Sequence, residues 1–358
     1  MGLFSWLRRK SHVHDSVSST LEVDDDVSVE PFVFSEAEMA GPFTSGNLSM
    51  YLIHGSDINT TDFITLEEAL AKKKVVIEET GIVQVLRVKN AGDKVVFIQS
   101  GDIVKGGRQD RALQHDMILS SKSDFKTIDS FCVEQGRWHQ RGAELESSFS
   151  TSNFSLSSTR LRFAARRGSQ DEIWTEVGKL QRRTAQNAGI AVSEIQDQFS
   201  ASSLQLTLES EKLQECTEKY ISDLNQVIYE KPDVIGCAFA INGKLNSIDI
   251  YASSALFRKM SAKLLQAAAV EAFTEQDNAK SFEPPTLANI MDSMNDFSGC
   301  KANVVKVNGN AKIVKQESKT SVLYETRDLT NEGQWLHRNY TTKVQSGLQA
   351  GGHFRVRC

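Results

Sequence analysis

Long apolar runs and paired cysteines are both missing from this sequence. The longest apolar stretches are a handful of residues, such as 234–241, whereas a membrane-spanning helix needs about 18. The five cysteines are odd in number and scattered, and no two of them form a C-x-x-C pair. We therefore expect no membrane span, and neither a disulfide scaffold nor a zinc ribbon.

An excess of positive charge is missing as well. The chain has 41 Lys and Arg against 46 Asp and Glu, a net charge of −5, which argues against general nucleic-acid binding but not against a local basic site. The N-terminal cations follow a short apolar stretch, the reverse of a secretory signal. We expect a cytoplasmic protein in which residues 3–10 form either a frayed terminus or a weak peripheral membrane contact.

The composition itself is that of a folded protein. With 358 residues, 40% of them hydrophobic and 24% charged, the chain has room for one large domain or two ordinary ones. Residues 11–30 are rich in Ser, Val and Asp and indicate a solvated arm. Residues 147–158 are low in charge and rich in hydroxyl groups, which predicts a loop and the best internal boundary.

Short β-branched runs dominate the first half of the chain. One helix interrupts them, because Thr65 with Glu68 three residues later forms a capping box. The runs predict strands at 48–54, 75–79, 83–88, 95–98, 112–119 and 127–133.

Helical spacing dominates the second half. Apolar residues recur at steps of three and four within 173–180, 213–227 and 256–268, which predicts amphipathic helices, the last capped by Ser253 or Ser254. Asn-Gly pairs at 242–243 and 308–309 predict β-hairpins, and final strands are expected at 321–325 and 335–340. Because strands and helices come in blocks, the fold class is predicted to be α+β, with a β-rich N-terminal half followed by helices and hairpins in the same domain.

The densest candidate site is the segment 101–111. Gly106 and Gly107 allow the backbone to present its N–H groups, and nearby cations make the segment suitable for phosphate or carboxylate. The segment is not a P-loop, because Gly107 and Arg108 follow Gly106 where a Walker sequence needs Lys and then Ser or Thr. The alternative is a tight turn in which Arg108 and Arg111 form structural ion pairs with Asp102 and Asp110.

A second candidate follows the predicted strand at 127–133. Glu134 lies among arginines and is a structural counter-ion, a metal ligand or a general base. Cys132 is a nucleophile only if the fold brings His115 or His139 close, and is otherwise a small buried hydrophobe. A metal site is an alternative for four of these residues, namely Asp102, Asp110, Glu134 and His139. Trp138 either stacks on the ring of a ligand or belongs to the core.

A cluster of arginines follows the hydroxyl-rich stretch, at positions 160, 162, 166 and 167. Such a cluster binds nucleic acid or an acidic partner in some proteins. With a net acidic chain and only Phe163 interleaved, we favour a solvated helix start.

Several segments resemble one known family. They are Gly101 with the Gly-Gly-Arg-Gln-Asp-Arg run, Cys-Val-Glu-Gln-Gly-Arg-Trp at 132–138, 170–177, 255–265 and Trp-Leu-His-Arg at 335–338, and they resemble the ARG and rhodanese-phosphatase-superfamily-associated protein domain. The resemblance implies an ADP-ribose or related nucleotide setting without an established reaction. It also implies one domain over 45–345, between a flexible arm at 1–44 and a tail at 346–358. Ser261 stands where family members often have Trp.

Three functional hypotheses remain. The first is an accessory or binding module for a phosphate-bearing nucleotide, related to ADP-ribose or NAD, or for a modified protein partner. The second is a nucleotide hydrolase with Glu134 or Asp110 as general base, and the third is a purely structural interaction protein. No cofactor is indicated. The ligand-binding residues of the first hypothesis are Lys105, Gly106, Gly107, Arg108, Gln109, Arg111, Arg137 and Trp138.

Overall fold

The computed structural model describes residues 27–30, 35, 38–137, 149–277 and 279–343. Within them the strands are β1 (Met39–Ser45), β2 (Leu48–His54), β3 (Ile64–Thr65), β4 (Val75–Glu79), β5 (Val85–Asn90), β6 (Val96–Ile98), β7 (Asp102–Gly106), β8 (Arg111–Leu113), β9 (Met117–Leu119), β10 (Lys126–Cys132), β11 (Phe149–Ser155), β12 (Val234–Ile241), β13 (Lys244–Tyr251), β14 (Ala302–Asn308), β15 (Ala311–Glu317), β16 (Ser321–Asp328) and β17 (Gln334–Thr342). The helices are α1 (Leu66–Ala71), α2 (Thr159–Arg167), α3 (Gln170–Ala188), α4 (Leu204–Glu209), α5 (Glu211–Tyr229), α6 (Ser254–Thr274) and α7 (Leu287–Asn295). The predicted α+β class is confirmed.

The largest sheet is antiparallel and joins the two ends of the described chain. Its eight strands lie in the order β1-β2-β12-β13-β17-β16-β15-β14. The predicted hairpin between β12 and β13 is confirmed, with φ of 51° at Asn242 and 70° at Gly243. Both angles lie in the left-handed region, which Asn and Gly tolerate best. The hairpin at Asn308 and Gly309 connects β14 to β15.

Two smaller sheets contain the first-half strands. A six-stranded sheet has the order β11-β7-β8-β10-β5-β4, and a three-stranded sheet has the order β3-β6-β9. The expected strand at 112–119 is wrong as a single element, because it divides into β8 and β9, which belong to different sheets. The expected loop at 147–158 is also wrong over 149–155, since these residues form β11 against β7.

Helices lie on both faces of the large sheet, α5 and α6 on one face and α7 on the other. α6 is buried around most of its circumference and packs on β12, with α5 beside it. The predicted capping box at α1 is present, because Glu68 N donates to Thr65 Oγ1 and Thr65 N donates to Glu68 Oε2. The predicted cap of α6 is Ser253.

A sharp corner joins α2 to α3. α2 ends at Gly168 in the left-handed conformation, and the Ser169 side chain caps α3 immediately afterwards. The corner places both helices next to each other near β15 and β16. The space enclosed there is described below.

The proposed domain limits and location stay predictions. Residues 1–26 and 344–358, which include most of the predicted arm, the stretch 3–10 and the tail, lie outside the described residues. In the part of the chain that the structure describes, no helix is both long and apolar enough to cross a membrane.

Candidate functional site

The Gly106-Gly107 turn joins β7 to β8, and its N–H groups face carboxylates of the same chain. Gly106 N donates to Asp110 Oδ1 at 3.0 Å, and Arg108 N donates to Glu79 Oε1 at 3.2 Å. A Cβ on Gly107, whose φ is 55°, would lie 2.4 Å from Phe149 Cζ. Glycine is therefore required here both for the backbone angle and for the close approach of β11.

A buried ion cluster extends from this turn, and we define it by Glu79, Asp110, Arg111, Glu134 and Arg137. Arg137 Nε lies 2.8 Å from Glu134 Oε1, and its Nη2 lies 3.8 Å from Asp110 Oδ1. Arg111 is fully buried and its Nη2 lies 3.3 Å from Glu79 Oε1. Asp110 and Glu134 are 0% exposed.

The predicted chemistry of the turn is present, with internal anions as its partners. Backbone N–H groups and arginines do surround carboxylates, but those carboxylates are Glu79, Asp110 and Glu134. Breaking one partner of such a buried pair costs about 3–5 kcal/mol, because an unpaired charge is left behind. The cluster therefore ties β4, β7, β8 and the segment after β10 together.

The ion pairs differ in part from the predicted alternative. Asp102 pairs with Lys263, whose Nζ lies 3.0 Å from Asp102 Oδ1, and not with an arginine of the turn. Lys105 Nζ lies 2.5 Å from Glu209 Oε1 on α4. The pairing of Asp102 with the turn arginines is thus wrong, whereas internal ion pairing as such is present.

The sequence-predicted ligand residues that the structure describes are close together. Gln109 belongs to the same buried network, since its Nε2 donates to Glu134 O at 3.0 Å. Arg108 is half-buried at the turn. Trp138 and His139 lie outside the described residues. Ligand binding by 105–111 and Arg137, and general-base roles for Glu134 and Asp110, stay predictions.

Cys132 does not have the environment of a nucleophile. Strand β10 ends at this residue and does not continue to Glu134. Burial raises the pKa of the Cys132 thiol to about 11, which leaves it protonated near neutral pH. In the described ranges no three His, Cys, Asp or Glu side chains are grouped so that they could hold a metal ion.

A second candidate site lies between α2, α3 and the end of the large sheet. This basic cleft has a volume of about 680 Å³, which is within the usual range for small-molecule sites. Six cations and four acids line it, together with two aromatic residues. Its lining is Arg160, Phe163, Arg166, Arg167, Asp171, Glu172, Thr175, Glu176, Lys179, Lys315, Glu317, Val322, Tyr324 and Lys343.

Most charges of the basic cleft are paired within it. Arg167 Nη2 lies 2.6 Å from Glu172 Oε2, and Lys179 Nζ lies 2.7 Å from Glu176 Oε1. Glu317 accepts from two lysines, Lys315 and Lys343, and these hydrogen bonds lower its pKa to about 2. The rim is thus close to neutral.

Two arginines of the basic cleft differ from the rest. Among the described residues, no carboxylate lies within 4.0 Å of the guanidinium of Arg160 or Arg166. The Arg166 Cζ lies over the Tyr324 ring, 4.0 Å from its centroid. Its Nη1 is buried, and no acceptor in the described part of the chain reaches it. A ligand, an ion or a water molecule can satisfy such a buried N–H.

A small polar chamber is lined by Arg166 and Tyr324. It has a volume of about 10 Å³ and is lined also by Asp116 and His337. His337 lies between two carboxylates, with Nδ1 2.7 Å from Asp116 Oδ2 and Nε2 3.0 Å from Asp249 Oδ1. Burial disfavours the imidazolium, but the two carboxylates outweigh it and raise the pKa of His337 to about 9.

The sequence analysis singled out part of the basic cleft but did not interpret it as a binding site. Arg160, Arg166 and Arg167 belong to the arginine cluster that we interpreted as a solvated helix start. Arg162 is directed elsewhere, with its Nη2 3.2 Å from Asn246 Oδ1. Tyr324 on β16 was not recognised as a site residue. The sequence offered a signal only for the α2 side of the cleft, where positions 160, 163 and 167 have the spacing of one helix face.

A comparison with known families covers both sites. The family described as ARG and Rhodanese-Phosphatase-superfamily-associated Protein domain matches residues 36–341. No curated protein and no solved structure matches the chain. The matched range includes the buried ion cluster and all of the basic cleft except Lys343. Because it also covers most of the chain, this protein belongs to the ARG and rhodanese-phosphatase-superfamily-associated protein domain family.

Proposed function

We propose that this protein is a binding module for a phosphate-bearing nucleotide-type molecule, related to ADP-ribose or NAD, and that the basic cleft receives the ligand. One observation carries the proposal: Arg166 lines a cleft of ligand size, one of its N–H groups is buried and reached by no acceptor of the described residues, and none of their carboxylates lies within 4.0 Å of its guanidinium. A phosphate oxygen supplies the acceptor that this guanidinium lacks, and Arg forms bidentate bonds with phosphate.

The charges of the basic cleft suit a small anion. The six cations exceed the four acids by two, and within the described part of the chain Arg160 and Arg166 are the two cleft cations that have no carboxylate within 4.0 Å. A ligand with one or two phosphate groups would balance this surplus. A long polyanion would instead meet the acidic rim residues Glu172, Glu176 and Glu317, which supports a small molecule over nucleic acid.

The Gly106-Gly107 turn is the second place where such a ligand could contact the chain. There Arg108 is half-buried, and Arg111 and Arg137 belong to the buried ion cluster. A ligand at the turn has to compete with Glu79, Asp110 and Glu134 for the same donors. The basic cleft requires no such displacement, and for this reason we place the ligand there.

Calorimetric titration of the full chain with ADP-ribose and with NAD tests the proposal. We expect Arg166→Ala to weaken binding by about 10- to 100-fold, since a hydrogen bond to a charged group contributes about 1.5–3 kcal/mol. Arg182→Ala on α3 is the matched control, because Arg182 is exposed and does not line the cleft. Arg108→Ala tests the turn directly.

Each result has a defined meaning. Loss of affinity in Arg166→Ala with normal affinity in Arg108→Ala and Arg182→Ala supports the cleft. Loss only in Arg108→Ala moves the site to the Gly106-Gly107 turn. Absence of heat and of thermal stabilisation with both ligands, at concentrations where a site with micromolar affinity is saturated, contradicts the proposed function.

A further inference from the structure

Building on the proposed function, we infer that the basic cleft recognises a planar ring through the guanidinium of Arg166, and that Tyr324 is the specificity-determining residue behind it. The ligand class is then a single nucleoside phosphate, rather than a sugar phosphate or a polynucleotide. The inference rests on the stack of Arg166 on Tyr324 and on where the two side chains lie.

The stack presents a flat surface at the boundary of two cavities. Arg166 and Tyr324 line both the basic cleft and the small polar chamber. The chamber, at about 10 Å³, has room for about one water molecule. A nucleobase therefore stays on the cleft side of the pair. There it can stack on the guanidinium of Arg166, which lines the cleft, as bases do on arginine planes.

Both members of the stack are held by regular structure. Tyr324 belongs to β16, where its neighbours across the sheet are Asn339 and Lys315. Arg166 belongs to the last turn of α2, which ends at the left-handed Gly168. Side chains on strands and helices keep a defined orientation better than side chains on loops. The plane of the guanidinium is therefore fixed before a ligand arrives.

The remaining charges of the cleft limit the size of the ligand. Arg160 is on the same helix as Arg166, six residues earlier, and is available for the phosphate next to the ring. The acids Glu172, Glu176 and Glu317 line the cleft as well. A ligand with one phosphate or a diphosphate can bind the arginines without meeting the acids. The successive phosphates of a nucleic-acid strand would lie against the acids and be repelled.

Tyr324 acts through Arg166 and not on the ligand. A cation over an aromatic face is attracted to the ring, and this contact holds the Arg166 guanidinium over the Tyr324 ring. Tyr324→Phe retains the aromatic face. Tyr324→Leu removes it while retaining an apolar side chain of β16, and Arg166→Lys retains the charge while removing the plane. Ring recognition should follow these differences. Phosphate binding should be unchanged in the two Tyr324 variants and weaker in Arg166→Lys.

The test compares AMP with ribose 5-phosphate, which differ by the base, in titrations of the full chain. In the unmodified protein and in Tyr324→Phe we expect AMP to bind about 10-fold more tightly, as one stacked base contributes. In Tyr324→Leu we expect this ratio to fall to about 1–2, with the affinity for ribose 5-phosphate changed by less than about threefold. In Arg166→Lys we expect the same fall in the ratio, together with weaker binding of ribose 5-phosphate, because the bidentate bonds of Arg166 to phosphate are lost. Circular dichroism checks that each variant folds.

Failure of this inference is distinguishable from failure of the proposed function. Equal affinities for AMP and ribose 5-phosphate in the unmodified protein overturn ring recognition but leave phosphate binding in place. A ratio of about 10 that persists in Tyr324→Leu and in Arg166→Lys overturns the role of the stack. A poly(A) strand that binds more tightly per nucleotide than AMP overturns the single-nucleoside class. If ADP-ribose, AMP and ribose 5-phosphate all fail to bind, the proposed function is wrong.

Discussion

The buried His337 predicts a specific dependence of stability on pH. The His337 pKa is about 9 in the folded protein and about 6.5 in an unfolded chain. Because the folded pKa is the higher one, the stabilisation from the charged ring is fully present below pH 6.5. It is lost as the pH rises from 6.5 through 9.

The size of the effect follows from the two pKa values. A difference of about 2.5 pKa units corresponds to roughly 3 kcal/mol at most. Linkage over a limited range gives a loss of about 2–3 kcal/mol in the free energy of unfolding between pH 6 and pH 9. Asp116 does not contribute in this range. Its pKa is lowered from 3.8, since His337 outweighs the opposing effect of burial, so its stabilisation is lost only in acid.

Urea denaturation at pH 6, 7, 8 and 9 measures this loss, with His337→Gln as the control. Other groups titrate between the same limits. Burial lowers the pKa of His115 to about 4 and raises that of Cys132 to about 11, so both change the unfolding free energy with pH. Because both groups are present in the variant, only the difference between the two curves reports His337.

A direct titration keeps the prediction testable if His337→Gln does not fold. The ring resonances of His337, followed by nuclear magnetic resonance, should show a charged imidazole up to about pH 8. Refutation would come from a ring that titrates at or below pH 6.5. The prediction would also be refuted if the difference in unfolding free energy between the protein and His337→Gln changed by less than about 0.5 kcal/mol from pH 6 to pH 9.

Two further predictions concern the Gly106-Gly107 turn and the buried ion cluster. Gly107→Ala should lower the free energy of unfolding by about 2–4 kcal/mol, because the new Cβ would clash with Phe149 in addition to straining the backbone. Gly136→Ala should lower it by only about 1–2 kcal/mol, because no atom of the described residues lies within 4 Å of that Cβ and only the backbone strain remains. Equal costs in urea titrations would contradict the steric argument. Arg137→Met should cost about 3–5 kcal/mol, and adding Glu134→Gln should recover part of it. A folded Arg137→Met of normal stability would show that the cluster is not structural.

Local signals in the sequence predicted several elements correctly. The Thr65 and Glu68 capping box and the Asn242-Gly243 hairpin depend on contacts within four residues, and both are present as expected. The helices α3, α5 and α6 follow from apolar spacing in the same way. β11 was missed because its hydroxyl-rich sequence resembles a loop. Phe149 instead pairs with Gly106, 43 residues earlier in the chain.

The division of 112–119 has a similar cause. The run is continuous in composition, and nothing local marks a change of sheet. Only the pairing partners decide it, since Ala112 pairs with Phe131 while Ile118 pairs with Phe97. Strand partners at long sequence separation carry no local signal.

The sequence by itself determined the α+β class, the family and the kind of chemistry at 101–111, because these depend on residue types and short spacings. The tertiary structure decided which charges meet. It placed Glu79 and Glu134 against Arg111 and Arg137, so that the turn binds anions from its own chain. It also placed Tyr324 behind Arg166, across more than 150 residues of sequence. Electrostatic and stacking energies depend on distances in space, and these exist only after the chain has folded.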